Sequence, residues 1–224
     1  PLDEASIGQR LSLLREAKRQ HVQIKSLAEQ KVKAKLSAMA ADPERGPLFA
    51  MKYMSPLTLS EQCLMVEWVG QGKVEKNDIK NLFPELYAYL LPSSIKTGKG
   101  NGWTNEYFQE YCLSKVGNQE TGSLAKKLKE LNGSQVSFET WRDGFKTVKT
   151  LMHNRQDIDI YYWIDGLGVD WIPFMTQVID KHKADGVFLN EIYVAASELP
   201  TVTSVNKTKL DELANGKLEK IGDV

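Results

Sequence analysis

The sequence predicts a mostly helical N-terminal region followed by the first part of an α/β domain. Two observations lead to this fold class. Before residue 154, long stretches repeat apolar residues at the three- and four-residue spacing of amphipathic helices. After it, a β-branched and aromatic run is followed by a helical pattern and then a second apolar run, which predicts strand, helix and strand.

Residues 1–55 are predicted to form a long basic helix and a linker. The helix is expected over 7–41, because this stretch has no Gly after Gly8, no Pro and many Lys, Gln, Glu, Leu and Ala residues. Its basic surface has two interpretations: a solvated face on a packing or partner helix, or a contact with a phosphate backbone. Pro and Gly residues in 42–47 end the helix, and a linker is expected up to Pro56.

Residues 56–154 are predicted to be an all-α domain. Helical patterns cover 59–70, 77–91, 104–116, 122–131 and 138–153. The helix over 59–70 is expected to turn Cys63, Val66 and Val69 inward. Cys63 and Cys112 are the only cysteines, and each lies in an apolar helical pattern. We therefore expect two buried thiols and no disulfide, which fits a reducing cytoplasm.

Residues 155–224 are predicted to begin a parallel α/β domain. The run from Ile158 to Ile164 is typical of a strand that ends at Asp165, a helix is expected over 171–183, and a second strand over 187–194. These three elements form a right-handed βαβ unit. Two strands are too few, because a parallel sheet needs further strands and cover on both faces. We therefore expect the chain to be the N-terminal part of a longer protein.

The composition indicates a globular protein and argues against membrane-spanning and strongly basic nucleic-acid-binding classes. Apolar residues make up 42% and charged residues 26% of the chain, as in globular proteins that bury a core. No apolar run approaches the roughly 20 residues that cross a bilayer, so no membrane association is expected. Lysine plus arginine and aspartate plus glutamate number 29 each. This balance argues against a whole-molecule electrostatic footprint for nucleic acid.

Two features converge on one candidate site. Asp165 ends the first predicted strand, and ligands of open α/β sheets bind beyond the carboxyl ends of the strands. Residues 199–207, Leu-Pro-Thr-Val-Thr-Ser-Val-Asn-Lys, place hydroxyl groups before a helical stretch at 209–214. Helix N-termini favour anions such as phosphate, and a metal shared with Asp165 would make such a hydroxyl a nucleophile. An acid in an Asp-Gly turn and an N-cap cluster are the structural alternatives.

The two segments together carry a family resemblance. Residues 163–168, Trp-Ile-Asp-Gly-Leu-Gly, and residues 199–207 resemble the opening of the PglZ domain. This domain is a member of the alkaline phosphatase superfamily found in BREX bacteriophage-defence systems. The resemblance covers roughly the last 65 residues. The chain departs from it at 166–168, where many PglZ domains have a basic residue after the metal ligand.

The resemblance implies roles for individual residues. Asp165 would be a metal ligand, Thr203 the metal-bound nucleophile, and Asn206 a contact to the phosphoryl oxygens. Thr201 is less favoured as the nucleophile. The remaining ligands of the superfamily lie well downstream. His21, His153 and His182 have no paired ligand spacing, so we expect none of them to complete the site.

The resemblance also implies a function for the intact protein. It would be a phosphohydrolase or phosphodiesterase that uses a divalent metal, expected to be zinc, and acts in bacterial defence against phage. Its expected partners are other proteins of the defence complex and a phosphoester substrate, with nucleic acid as one candidate. The present chain alone is expected to be inactive. The alternative is a non-catalytic scaffold component of the same complex.

Overall fold

The N-terminal region forms two helices instead of the single one that was predicted. The computed structural model describes residues 4–22, 26–93, 102–119, 122–134, 137–153, 155, 157–199 and 203–223. Helix α1 spans Glu4–Arg19 and α2 spans Ser26–Ala40, so the prediction of one helix over 7–41 is wrong.

A left-handed residue ends α1. His21 has a φ of 54°. The N–H of Val22 donates to the carbonyl of Ala17, and the N–H of His21 donates to that of Lys18. This pair of bonds is a Schellman motif, which normally uses Gly at the left-handed position. Local hydrogen bonding therefore stops the helix although its residues have high helix propensity.

One compact unit comprises Pro1–Leu91 and Cys112–Glu120. Besides α1 and α2 it contains α3 (Gly46–Met51), α4 (Leu59–Gly70) and α5 (Pro84–Tyr89). Helix α3 lies inside the stretch predicted to be a linker, so that prediction is wrong there. The reason is packing, since Ala50 and Met51 are buried and helix formation lets them face the core.

Helix α4 has the predicted bounds, but its buried face differs from the expected one. Val69 is buried as predicted, but Cys63 and Val66 are exposed. The other buried apolar side chains of the helix are Leu64, Met65 and Trp68. The sequence of α4 is apolar on several sides, so the spacing did not single out one inward face. Cys112 is buried as expected, and both cysteines are free thiols.

Within the described chain, no helix combines the length and apolar character needed to cross a membrane.

The second unit comprises Pro92–Tyr111 and Thr121–Val224. Helix α6 contributes residues to both units. The elements from α6 onward are α6 (Trp103–Gly117), α7 (Gly122–Asn132), α8 (Phe138–Asp143), α9 (Val148–Met152), β1 (Tyr161–Asp165), α10 (Ile172–Lys181), α11 (Thr203–Ala214) and β2 (Leu218–Asp223). The predicted mostly helical fold is confirmed. The boundaries drawn from sequence, at 55 and 154, divide the chain differently from these two units, and they stay a prediction.

Aromatic side chains join α6 to α8 in this unit. Tyr107 and Trp103 of α6 meet Phe138 of α8 with ring centroids 4.6 and 4.8 Å apart, both edge to face. Trp141 of α8 lies against Phe108 at 5.7 Å. Such pairs contribute about 0.5–1.5 kcal/mol each beyond the area they bury, so this cluster fixes the two helices together.

The strands differ in part from the prediction. β1 forms where a strand was expected, but residues 187–194 form no strand, and that prediction is wrong. Instead β1 pairs in parallel with β2, which was not predicted. A strand persists only where a neighbour takes its backbone hydrogen bonds. Residues 187–194 lack such a neighbour within the described chain, and Phe188 is 66% exposed.

Candidate active site at the carboxyl end of the parallel strands

Asp165 is the last residue of β1. The following Gly166 has a φ of 75°, a conformation that glycine adopts at low cost. The N–H of Gly166 donates to Oδ1 of Asp165 at 3.0 Å. The carboxylate is therefore partly engaged in its own Asp-Gly turn, as the structural alternative expected, while its position at the carboxyl end of a strand is the predicted one.

Helix α11 directly precedes β2 in the chain. It has 12 residues and is followed by a turn at Asn215 and Gly216 that leads into β2. The helix is about 18 Å long and the strands are about 17–20 Å long, so a helix of this length matches the strands in extent.

Alternate side chains of β1 show which face α11 covers. Trp163, together with Asn206 and Leu210 of α11, lines a cavity of about 60 Å³. Asp165 lies two residues after Trp163 and so on the same face of the strand. The indole N–H of Trp163 is buried there and has no hydrogen-bond partner among the described residues. The alternation within β1 thus assigns Asp165 to the face of Trp163, while the register with β2 shifts between Trp163 and Ile164.

Asn206 makes two hydrogen bonds to one backbone residue. Its Oδ1 accepts the N–H of Glu198 at 2.9 Å, and its Nδ2 donates to the carbonyl of Glu198 at 3.3 Å. The sequence predicted a contact with phosphoryl oxygens for this amide. In the structure, the amide ties the first turn of α11 to the segment that precedes it, and the phosphoryl contact stays a prediction.

The predicted nucleophile lies only partly within the described structure. Thr203 is the first residue of α11, which agrees with its expected place at a helix N-terminus. Its side chain and the whole of Thr201 lie outside the described residues. The structure thus places Asp165 at the end of β1 and Thr203 at the start of α11, while their sharing of one site and the choice between the two threonines stay predictions.

The described residues do not by themselves form a metal site. They contain no group of three or more His, Cys, Asp or Glu side chains that could hold an ion. Asp165 supplies a carboxylate oxygen, which suits a divalent cation. His182 bonds instead to Asp185, at 2.9 Å. We therefore derive no chemical step through a metal from this geometry.

One acidic residue at this end was missed by the sequence interpretation. In the parallel register Asp165 lies opposite Asp223, the last residue of β2. The residue types gave little signal, because the segment before Gly222-Asp223 is Leu-Glu-Lys-Ile, in which charged residues interrupt the apolar ones.

Known proteins do not add to this description. No family model, no curated protein and no solved structure matches the chain.

Proposed function

We propose that this chain is the N-terminal part of a metal-dependent phosphohydrolase or phosphodiesterase of the PglZ type, acting in bacterial defence against phage. The finer fold assignment, an alkaline-phosphatase-like α/β domain, is part of this proposal. One observation carries it. Asp165 ends β1, and Trp163 of the same strand lines one cavity with Asn206, which lies in the first turn of the helix that begins at Thr203.

This arrangement suits attack on phosphorus. A hydroxyl at the N-terminus of α11 would face unpaired backbone N–H groups, which stabilise the negative charge that develops on phosphoryl oxygens. Thr203 would supply the attacking oxygen. Asp165 would hold the divalent metal, expected to be zinc, and ligands from beyond the described residues would complete its coordination.

The test uses the intact protein, loaded with zinc, and a chromogenic phosphodiester. Thr203→Ala and Asp165→Asn are each expected to lower kcat/KM at least about 1000-fold, because each removes a group that acts on the reacting atoms. Thr201→Ala is the matched control, since it removes a threonine hydroxyl two residues away. If Thr203→Ala keeps full activity and Thr201→Ala loses it, then Thr201 is the nucleophile and the assignment to Thr203 is wrong.

A scaffold function is the second candidate. It is favoured by the engagement of the Asn206 amide with the backbone of Glu198. A phage-plaque assay separates the two. If cells that carry Thr203→Ala remain as resistant as the wild type, the protein acts as a scaffold; loss of resistance at unchanged protein abundance supports the enzyme.

A further inference from the structure

We infer that Asn206 is a positioning residue, whose amide holds the backbone of Glu198 and so fixes the entry of the chain into α11. The contact itself stands on the two hydrogen bonds, at 2.9 and 3.3 Å. Its chemical consequence rests on the proposed function, in which Thr203 lies between the two bonded residues. In that chemistry Asn206 acts through the backbone and not on the phosphoryl group.

The two bonds restrain the backbone strongly. An amide that accepts the N–H and donates to the C=O of one residue satisfies both backbone groups of that residue at once. Asn206 and Glu198 are eight residues apart, so the bonds close a loop that contains Thr203. The start of α11 therefore cannot shift relative to Glu198 without breaking both bonds.

The segment before Glu198 is itself held in place. The N–H of Ala196 donates to the carbonyl of Lys146 at 3.0 Å, and Ala196 forms a parallel bridge with Thr147. The guanidinium of Arg142 donates to the carbonyl of Ser197 at 3.4 Å. Three consecutive residues, 196 to 198, are thus each bonded to another part of the unit. Because Asn206 belongs to α11 and bonds to Glu198, it connects α11 to this fixed segment.

The consequence for catalysis differs from that of a substrate contact. A displacement of about 1 Å in a reacting group lowers rates roughly 100-fold even when binding is retained. Asn206→Ala is therefore expected to lower kcat by about 100-fold with little change in KM. A residue that held the phosphoryl oxygens in both the ground and the transition state would raise KM as well.

The direct test is amide hydrogen exchange in the 224-residue chain. Asn206→Ala is expected to speed exchange of the Glu198 amide at least about tenfold, the equivalent of about 1.4 kcal/mol. Asn206→Asp keeps the side-chain oxygen that accepts the Glu198 N–H, so the Glu198 amide is expected to stay protected from exchange. This variant provides a second measurement if Asn206→Ala folds poorly. Glu198→Ala is the matched control, because it removes only a side chain and leaves the bonded backbone groups. Unchanged protection of Glu198 in Asn206→Ala would overturn the inference.

A kinetic cycle in the intact protein tests the consequence. Glu198→Pro removes the N–H that Asn206 accepts but leaves the asparagine in place. If Asn206 acts through Glu198, the double variant has about the kcat of either single variant. If the losses multiply and KM rises, Asn206 contacts substrate and the inference is wrong. An inactive wild-type protein would overturn the proposed function, and the exchange of the Glu198 amide would still decide the inference.

Discussion

Glu61 places a buried carboxylate in the first turn of α4, where its side chain is only 1% exposed. It pairs with Arg10 of α1, accepts the N–H of Ser55 at 2.8 Å and accepts the hydroxyl of Thr58 at 2.6 Å. Thr58 in turn caps the N–H of Glu61. The sequence Thr-Leu-Ser-Glu matches the Thr-x-x-Glu pattern of helix N-termini, so this cap was recognisable before the structure.

Removal of this carboxylate is expected to destabilise the protein strongly. Glu61→Ala leaves the Ser55 N–H without its acceptor and leaves Arg10, which still donates to the carbonyl of Tyr53, without its carboxylate partner; breaking a buried ion pair in this way typically costs about 3–5 kcal/mol. Urea unfolding measures the change. Glu67→Ala on the same helix is the control, because Glu67 is exposed and its 3.9 Å ion pair with Lys33 should contribute less than about 1 kcal/mol. Equal, small losses in both variants would show that the buried network does not stabilise the fold.

The ionisation of Tyr107 is expected to make the free energy of unfolding depend on pH at high pH. Burial raises the pKa of Tyr107 above its usual 10.0, and the neighbouring Tyr111 raises it further. The unfolded chain therefore loses this proton at a lower pH than the folded chain. The stability that Tyr107 contributes is present below about pH 10 and is lost as pH rises through its folded pKa. In Tyr107→Phe, unfolding free energy should fall less steeply above pH 10 than in the wild type. Tyr162→Phe, at a 62% exposed tyrosine, is the control for loss of a hydroxyl, and a slope unchanged in Tyr107→Phe would contradict the prediction.

At the scale of whole elements, glycine sets how closely the ends of α4 and α6 approach. A Cβ on Gly70 would lie 2.6 Å from Cα of Gly117 and 2.7 Å from the carbonyl oxygen of Val116. Both contacts are to backbone, which cannot move aside without shifting a helix. The close approach explains why glycine occupies a position where helix propensity alone would favour alanine.

Gly70→Ala is therefore expected to destabilise the protein by about 1–3 kcal/mol, the usual effect of overpacking. Gly122→Ala in α7 is the control, because a Cβ there meets nothing within 4 Å. That control should be neutral or should stabilise by up to about 1 kcal/mol. Thermal unfolding of the two variants measures the difference. Equal melting temperatures would show that the helix ends separate at little cost.

Local patterns predicted some elements well and others poorly. The helix expected over 77–91 is shortened to α5, and the one expected over 138–153 is divided into α8 and α9, so both predictions are wrong in their bounds. The bounds of α4, α6 and α7 follow helix periodicity closely, and β1 ends at Asp165 as its β-branched run indicated. The break after α1 was not predictable in the same way, because His21 is an unusual residue for a left-handed turn. The strand expected over 187–194 failed for another reason, since strand formation depends on a distant partner.

In the candidate site, too, features that depend on distant partners could not be predicted from the sequence. Its location at the carboxyl end of β1 followed from chain order, because parallel strands deliver their ends to one edge. The hydrogen bonds of Asn206 did not follow from the sequence, because its partner Glu198 is bonded through backbone atoms that any residue would offer. Asp223 was missed because its place opposite Asp165 depends on a strand pairing that residue types alone did not reveal.

Across the whole molecule, exposed apolar side chains concentrate in one part of the described chain. Between residues 160 and 199 they include Ile160, Tyr162, Val187, Phe188, Ile192, Tyr193 and Leu199. Helix α10 is amphipathic in sequence, yet it has no buried residue. Tyr162 points from the face of β1 opposite to Trp163, and parallel sheets are normally covered on both faces.

These side chains should give the chain a surface that binds apolar probes. Phe188 and Ile192 are 66% and 48% exposed, and the double variant Phe188→Ser with Ile192→Ser is expected to reduce the fluorescence of a bound apolar dye by about twofold. The matched control replaces Leu48 and Leu59, which are 53% and 69% exposed, by serine. These two lie on helices α3 and α4 of the first unit. If the control lowers dye binding as much as the test pair, the dye reports general exposure and the surface between residues 160 and 199 is not distinctive. A large decrease in the test pair alone, at unchanged melting temperature, places the apolar surface on the second unit.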